Sequence, residues 1–256
     1  MSTPKPALVI VPGASHHPTH YTALATLLRE ANYTVTTVDL PSTGGKERNN
    51  EPPLTSLKPD ILAIQSHITS HLSAGKNVVL ICHSFGGVSG SAAVQGFLPA
   101  DREDGLGVVK MIYLAAIIVE PGKSVWEQGG EKHAPSVEFP LPDPKDAGWL
   151  RFRDPEKNFY AECTPEVQKE AISKLRWFSE GINRELVPYS AWQHVESYYL
   201  VCGKDQVLPA FVQEMWTSNP TGKWKKVERM ETDHSPFLSR TGETVEFVRR
   251  SLEDTS

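Results

Sequence analysis

The sequence predicts an α/β chain: a mostly parallel central sheet flanked by helices, with an inserted helical lid. Three observations predict it. Short apolar runs recur at 7–11, 77–82, 109–116 and 197–203, with the length and composition of buried strands. Between them lie stretches whose apolar residues repeat at helical spacing. The alternation breaks once, over approximately 120–192, where Pro and Trp are frequent and no clear strand is visible. Alternating strands and helices imply a parallel sheet covered on both faces. The break reads as a lid inserted into a single domain spanning 1–256.

Each element has its own signal. "ALVIV" (7–11) is a fully apolar strand ended by Pro12-Gly13. "HYTALATLLREA" (20–31) places Leu24, Leu27 and Leu28 on one helical face. "YTVTTVDL" (33–40) is rich in Val and Thr and reads as a strand, and Pro41 to Pro59 reads as loop. "DILAIQSHITSHLSAG" (60–75) repeats Ile61, Ile64, Ile68 and Leu72, with Gly75 as a helix end. "NVVLIC" (77–82) is a strand, 85–98 a helix, and "VKMIYLAA" (109–116) a strand. Inside the break, "PEVQKEAISKL" (165–175) looks helical. The pattern resumes with a strand at 197–203, a helix near 209–217, a strand at 223–230 and a last helix near 241–252.

Composition narrows the function. The 256 residues carry a formal charge of −5 and show no basic stripe of the kind that neutralises phosphates, so nucleic acid is not an expected partner. Nor does the N-terminal apolar run of five residues, Ala7 to Val11, make a secretory leader, and no window approaches the roughly 18 apolar residues of a spanning helix. Three scattered cysteines, Cys82, Cys163 and Cys202, suggest neither a disulfide framework nor a metal site. A cytoplasmic protein that does not engage membranes is expected.

The chemistry centres on "VVLICHSFGG" (78–87). A strand–turn–helix carrying G-x-S-x-G is the nucleophile elbow of the α/β-hydrolase fold, where a sharp turn exposes a serine and demands small neighbours. Here Ser84 has Gly86 two residues on, but Cys82 two residues before. Cys82 is a rival nucleophile; at the end of a buried strand a thiol is usually inert packing. His83 is beside Ser84 in sequence, but neighbours on a tight turn point apart, so it is a poor base for it.

A serine nucleophile needs a histidine base and a carboxylate to orient it, in chain order Ser, acid, His. Of nine histidines, His234 in "TDHSPF" is the one that lies late, between a predicted strand and the last helix. His133 and His194 fall in or near the insertion, and His16, His17, His20, His67 and His71 precede the serine. Asp205, on the loop after the 197–203 strand, is the expected acid; Asp233 and Glu120 are the alternatives. The oxyanion N–H groups are expected from Phe85 and from Ala14 in "VPGASHHPTH". His16, His17 and His20 in that loop lack a helical ligand spacing and a nearby carboxylate, so no metal is expected.

With these residues assembled, the chain resembles the plant methylesterase and hydroxynitrile lyase family of α/β-hydrolases, in a fungal- or microbial-looking form. The likeness runs nearly end to end, through "LVIVPGASHHPTHY", "VTTVDLPSTG", "ICHSFGG", "NFYAECTPEVQKEAISKL", "YYLVCGKDQVLPAFVQEMW" and "TDHSPFLS". It implies Ser84, Asp205 and His234 as a triad, with Ala14 and Phe85 supplying the oxyanion N–H groups. Departures from the family are Pro12 where it usually has His and Cys82 where it has Gly. Its hydroxynitrile lyases carry Thr at the position of Gly13 and a Lys after the histidine, where this chain has Ser235. The resemblance therefore implies the esterase branch, needing no cofactor.

The expected function is hydrolysis of a carboxylic ester or lactone through an acyl-enzyme. The aromatic residues of the insertion, Trp126, Trp149, Phe152, Phe159, Trp177 and Phe178, suggest a small to medium apolar or aromatic substrate. His16, Trp126, Phe159 and Trp177 are the candidate pocket residues. A non-hydrolytic lyase or isomerase, or a ligand receptor retaining a hydrolase site, are the alternatives. The expected partner is the small-molecule substrate, with homodimerisation left open.

Overall fold

The computed structural model describes residues 5–44 and 51–254. Ten strands and nine α-helices follow along them. They are β1 Ala7–Val11, α1 Thr22–Glu30, β2 Thr34–Thr37, β3 Thr43–Gly44, α2 Lys58–Ser73, β4 Val78–His83, α3 Gly86–Ala93 and β5 Val108–Leu114. The insertion contributes α4 Val125–Gln128, β6 Val137–Glu138, β7 Trp149–Phe152, α5 Pro155–Asn158, α6 Pro165–Ser173 and β8 Trp177–Ser179. The sheet then resumes with β9 Glu196–Cys202, α7 Ala210–Thr217, β10 Trp224–Met230, α8 Pro236–Ser239 and α9 Thr241–Glu253.

Six strands form the central sheet in the order β10-β9-β5-β4-β1-β2, every neighbouring pair parallel. The period of two along each strand sorts the core into two layers. Val9, Val11, Leu80, Cys82, Met111, Tyr113 and Tyr199 pack against Ile64, Ile68 and Leu72 of α2 and Ala93 of α3. Leu8, Ile10, Val79, Ile81, Ile112, Leu114 and Leu200 pack against Leu24 and Leu28 of α1 and Phe247 and Val248 of α9. Register aligns Val11 with Cys82 and Leu114 with His83 and Leu200. The carboxyl ends of β1, β4, β5 and β9 therefore share one edge, where an open α/β sheet places its ligands.

Two expectations need correction. The insertion is not free of strands: β6, β7 and β8 join β3 in an antiparallel sheet ordered β3-β8-β7-β6. Nor is 41–59 all loop: Thr43 and Gly44 pair with Phe178 and Trp177, and α2 begins at Lys58. These strands run two to four residues, too short for alternation to show. Residues 45–50 of that loop expectation lie outside the described residues. The insertion is sewn to the sheet by Arg176 N–H to Ser15 O (2.9 Å) and Ser179 N–H to Ser42 O (2.9 Å). Among the described residues no helix is long and apolar enough to cross a membrane.

Candidate active site

β4 delivers its last residue, His83, fully buried, and the chain then turns through Ser84 at φ +51° into α3. A non-glycine residue in this left-handed region is strained and must be held. Here Ser84 N–H donates to Leu114 O (3.3 Å), and Ser84 O accepts from Gly87 N–H and Ile117 N–H (2.9 Å each). The elbow tolerates Cys82 because Gly90 makes room for it. A Cβ on Gly90 would lie 2.5 Å from Cys82 Sγ. Burial pushes the Cys82 thiol far above its ordinary range, which suits packing and not nucleophilic attack.

His234 and Asp205 meet as an ion-pairing geometry with both side chains fully buried. His234 Nδ1 lies 2.7 Å from Asp205 Oδ2. Asp205 Oδ1 accepts from Val207 N–H and Leu208 N–H (2.8 Å each), and Oδ2 also accepts from Gln213 Nε2 (3.2 Å). With the carboxylate as acceptor, His234 carries its proton on Nδ1 and leaves Nε2 as a lone-pair base. That Nε2 is buried and has no hydrogen-bond partner among the described residues. Phe159 backs the ring, with centroids 5.5 Å apart.

The alternative carboxylates are engaged elsewhere. Asp233 accepts from Glu162 N–H (2.8 Å), Ser235 N–H (3.1 Å) and Ser239 Oγ (2.7 Å), tying the insertion to α8. Glu120 bonds Asn219 (3.0 Å) and Lys123 (2.6 Å). The two other histidines that follow the serine are engaged elsewhere as well: His133 sits 3.5 Å from Glu180 within the insertion, and His194 stacks on Tyr189.

Ala14 and Phe85 stand on facing loops beside Ser84. Among the described residues neither N–H donates to a protein acceptor. The two loops are pressed together at Gly13, where a Cβ would come within 2.7 Å of Ser84 Cβ and 2.8 Å of His83 Nδ1. Only glycine lets the β1 loop approach the elbow this closely.

A cavity of about 400 Å³ opens on Ser84, Ala14 and Phe85. Its wall is mostly apolar and includes Ile117, Trp126, Leu150, Phe152, Phe178 and Leu208. Of the four expected pocket residues, Trp126 lines it; His16, Phe159 and Trp177 do not. His16 is buried, its Nδ1 bonded to Ala14 O (2.9 Å) and its Nε2 to the Tyr160 hydroxyl (3.0 Å). Phe159 is turned onto His234 and Phe152. Trp177 lies under the Arg151 guanidinium, 5.8 Å away.

Residues 8–247 match the model of the alpha/beta hydrolase family. The chain belongs to that family. Within it the resemblance is to the plant methylesterases. The hydrolase is 31% identical to alpha/beta hydrolase nvfD of Aspergillus novofumigatus (strain IBT 16806), over 96% of each chain. It is 25% identical to methyl jasmonate esterase 1 of Vitis vinifera, over 97% of each. Among solved structures it resembles polyneuridine aldehyde esterase, with a TM-score of 0.77, 20% identity and coverage of 97% of this chain and 100% of that one. At that identity the last likeness speaks to the fold alone.

Two parts of the candidate site carry no sequence signal. Gln213 of α7 is fully buried; its Oε1 accepts from Cys202 N–H (3.0 Å) and its Nε2 reaches Asp205, so it braces the acid loop against β9. Tyr21 and His83 form a second support under the loops, joined by a 2.8 Å hydrogen bond. A buried glutamine on a helix that leaves Phe211 and Met215 exposed is visible only once the helix is packed. A tyrosine 62 residues from its partner has no local pattern at all.

Proposed function

We propose that this hydrolase cleaves a carboxylic ester or lactone of a small to medium apolar or aromatic molecule through a Ser84 acyl-enzyme. The observation that carries the reading is the buried Asp205–His234 pair, with an unpartnered Nε2, packed against His83, the residue that precedes a serine held on a positive-φ elbow.

The roles follow from proton inventory. Ser84 Oγ attacks the carbonyl carbon while His234 Nε2 takes its proton. Asp205 keeps His234 in the Nδ1–H tautomer and stabilises the imidazolium that forms. The oxygen that becomes negative is met by Ala14 N–H and Phe85 N–H, each such donor contributing about 3 kcal/mol to the transition state. His234 then protonates the leaving alkoxide, and the acyl group stays on Ser84. Water attacks that acyl-enzyme with the same histidine as base, releasing the acid and restoring the hydroxyl.

Substrate class rests on the wall of the cavity, where Trp126, Phe152 and Phe178 supply apolar faces. The residue after His234 is Ser235, so no cation stands there to stabilise a departing cyanide. The test is turnover of a p-nitrophenyl ester series by wild type and Ser84→Ala. Hydrolysis that rises with apolar chain length and disappears in the variant is expected. Equal turnover by both proteins would end the proposal.

A further inference from the structure

Three segments must be held in register for this site to work: the β1 loop with Ala14, the elbow with Ser84, and the loop with His234. One chain of hydrogen bonds passes through all three. Gly13 N–H meets Tyr21 Oη at 3.0 Å, Tyr21 Oη meets His83 Nδ1 at 2.8 Å, and His83 Nε2 meets His234 O at 2.9 Å. Each end lands on or beside a group with a proposed role: Gly13 precedes Ala14, His83 precedes Ser84, and the last acceptor is His234 itself.

The two end bonds have fixed directions. Gly13 N–H can only donate, so Tyr21 Oη accepts there, and His234 O can only accept, so His83 carries a hydrogen on Nε2. With the buried His83 ring neutral, Nδ1 is a lone-pair acceptor and takes the Tyr21 hydroxyl proton. His83 is then the Nε2–H tautomer, placed by His234 O and held by the Tyr21 hydroxyl. Neutrality matters because the His83 and His234 rings are 4.8 Å apart. A cation on His83 would oppose the positive charge that builds on His234 during attack. Burial, followed by the neighbouring His234 and His16, holds His83 well below the ordinary histidine range. Burial also pushes the Tyr21 phenol up, so it keeps the proton it donates.

We infer that Tyr21 is a positioning residue: through His83 its hydroxyl locks the oxyanion loop, the nucleophile elbow and the His234 loop into one unit. This rests on the serine-hydrolase reading above. The hydroxyl is separable from the ring. Tyr21 is fully buried and stacks on Phe237 at 4.3 Å and 25°, so Tyr21→Phe keeps the packing and removes only the oxygen.

The test is the saturation kinetics of Ser84 labelling by a fluorophosphonate, followed by mass spectrometry, in wild type, Tyr21→Phe, His83→Gln and the double variant. His83→Gln retains an N–H able to reach His234 O but loses the ring nitrogen that Tyr21 serves, and it reads the same chain should Tyr21→Phe fold poorly. For Tyr21→Phe we expect kinact lower by about tenfold or more and KI within about twofold. The melting temperature should stay within about 5 °C of wild type. The double variant should be no slower than His83→Gln alone, because both changes break one chain. A Tyr21→Phe protein that labels as fast as wild type, or losses that multiply in the double variant, would overturn the assignment while leaving Ser84 as nucleophile. Wild type that fails to label would overturn the serine reading and this assignment together.

Discussion

The carboxyl edge of the central sheet and the insertion above it enclose the same cavity but are built in opposite ways. At the sheet edge, position comes from polar bonds of fixed direction. Asp205 has four donors around it, Ser84 is pinned by three backbone bonds, and Asp233 holds three N–H or O–H donors and the Cys163 thiol. In the insertion, the wall is made of aromatic and aliphatic faces, Trp126, Phe152 and Phe178, whose contacts carry little directional constraint. On the proposed mechanism, the contrast makes chemistry and substrate choice separable: displacement at the edge is expected to cost the reaction, and recutting the wall to change the substrate it takes.

The sharpest way to break that comparison is to exchange the two neighbouring aspartates. Asp205→Asn should lower kcat by about 10³- to 10⁴-fold, because an amide reverses the tautomer of His234. Asp233→Asn should leave kcat within about tenfold but destabilise the fold by about 1–3 kcal/mol, since Glu162 N–H, Ser235 N–H or Ser239 Oγ loses its charged acceptor. Steady-state kinetics and thermal melts of both variants decide it. A larger kinetic loss in Asp233→Asn would make that residue the acid.

A second effect belongs to the histidines buried under the edge. His16 and His83 are both held well below the ordinary histidine range, burial being the main cause in each. The folded chain thus keeps them neutral where the unfolded chain protonates them. Their contribution is complete above about pH 6.5 and is lost as pH falls below it, at about 1.4 kcal/mol per pH unit for each histidine. Melting temperature should therefore fall between pH 6.5 and 5, with a shallower slope in His83→Gln. A flat profile over that window would contradict their burial as neutral groups.

On the other side of the comparison, Phe178→Ala in the wall should raise KM for bulky apolar esters by about tenfold and leave kcat for a short ester within about threefold. The smallest effect is at the elbow. Cys82→Gly should keep activity within about threefold, since Cys82 fills space beside Gly90. Gly90→Ala should be destabilising by contrast, and Cys82→Gly should rescue it, as seen in melts of the two variants and their combination. A loss in Cys82→Gly as large as in Ser84→Ala would mean the turn had been misread.

Sequence carried the directional half of this site better than the apolar half. The elbow and the Asp205 loop sit at the ends of strands whose apolar runs are continuous, and His234 follows the charged edge strand β10, so their positions on one edge follow from the α/β alternation. What local pattern could not resolve was the competition of Asp233 with Asp205, because the contacts that distinguish them include long-range ones: Glu162 N–H comes to Asp233 from 71 residues away, and His234 Nδ1 lies on Asp205 from 29 away. In the insertion, aromatic residues occur without periodicity, and wall and backing residues look alike. His16, Phe159 and Trp177 were expected at the cavity and are instead committed to Tyr160, His234 and Arg151. The strands at 137–138, 149–152 and 177–179 are too short to alternate, and they are recognisable only by their pairing with one another and with β3.

The most direct measurement is rapid-quench mass spectrometry of the hydrolase during turnover of a p-nitrophenyl ester. The account predicts an acyl group on Ser84, formed in a burst of p-nitrophenol and absent in Ser84→Ala. Turnover with no acyl-enzyme, or an acyl group on Cys82 instead, would contradict it.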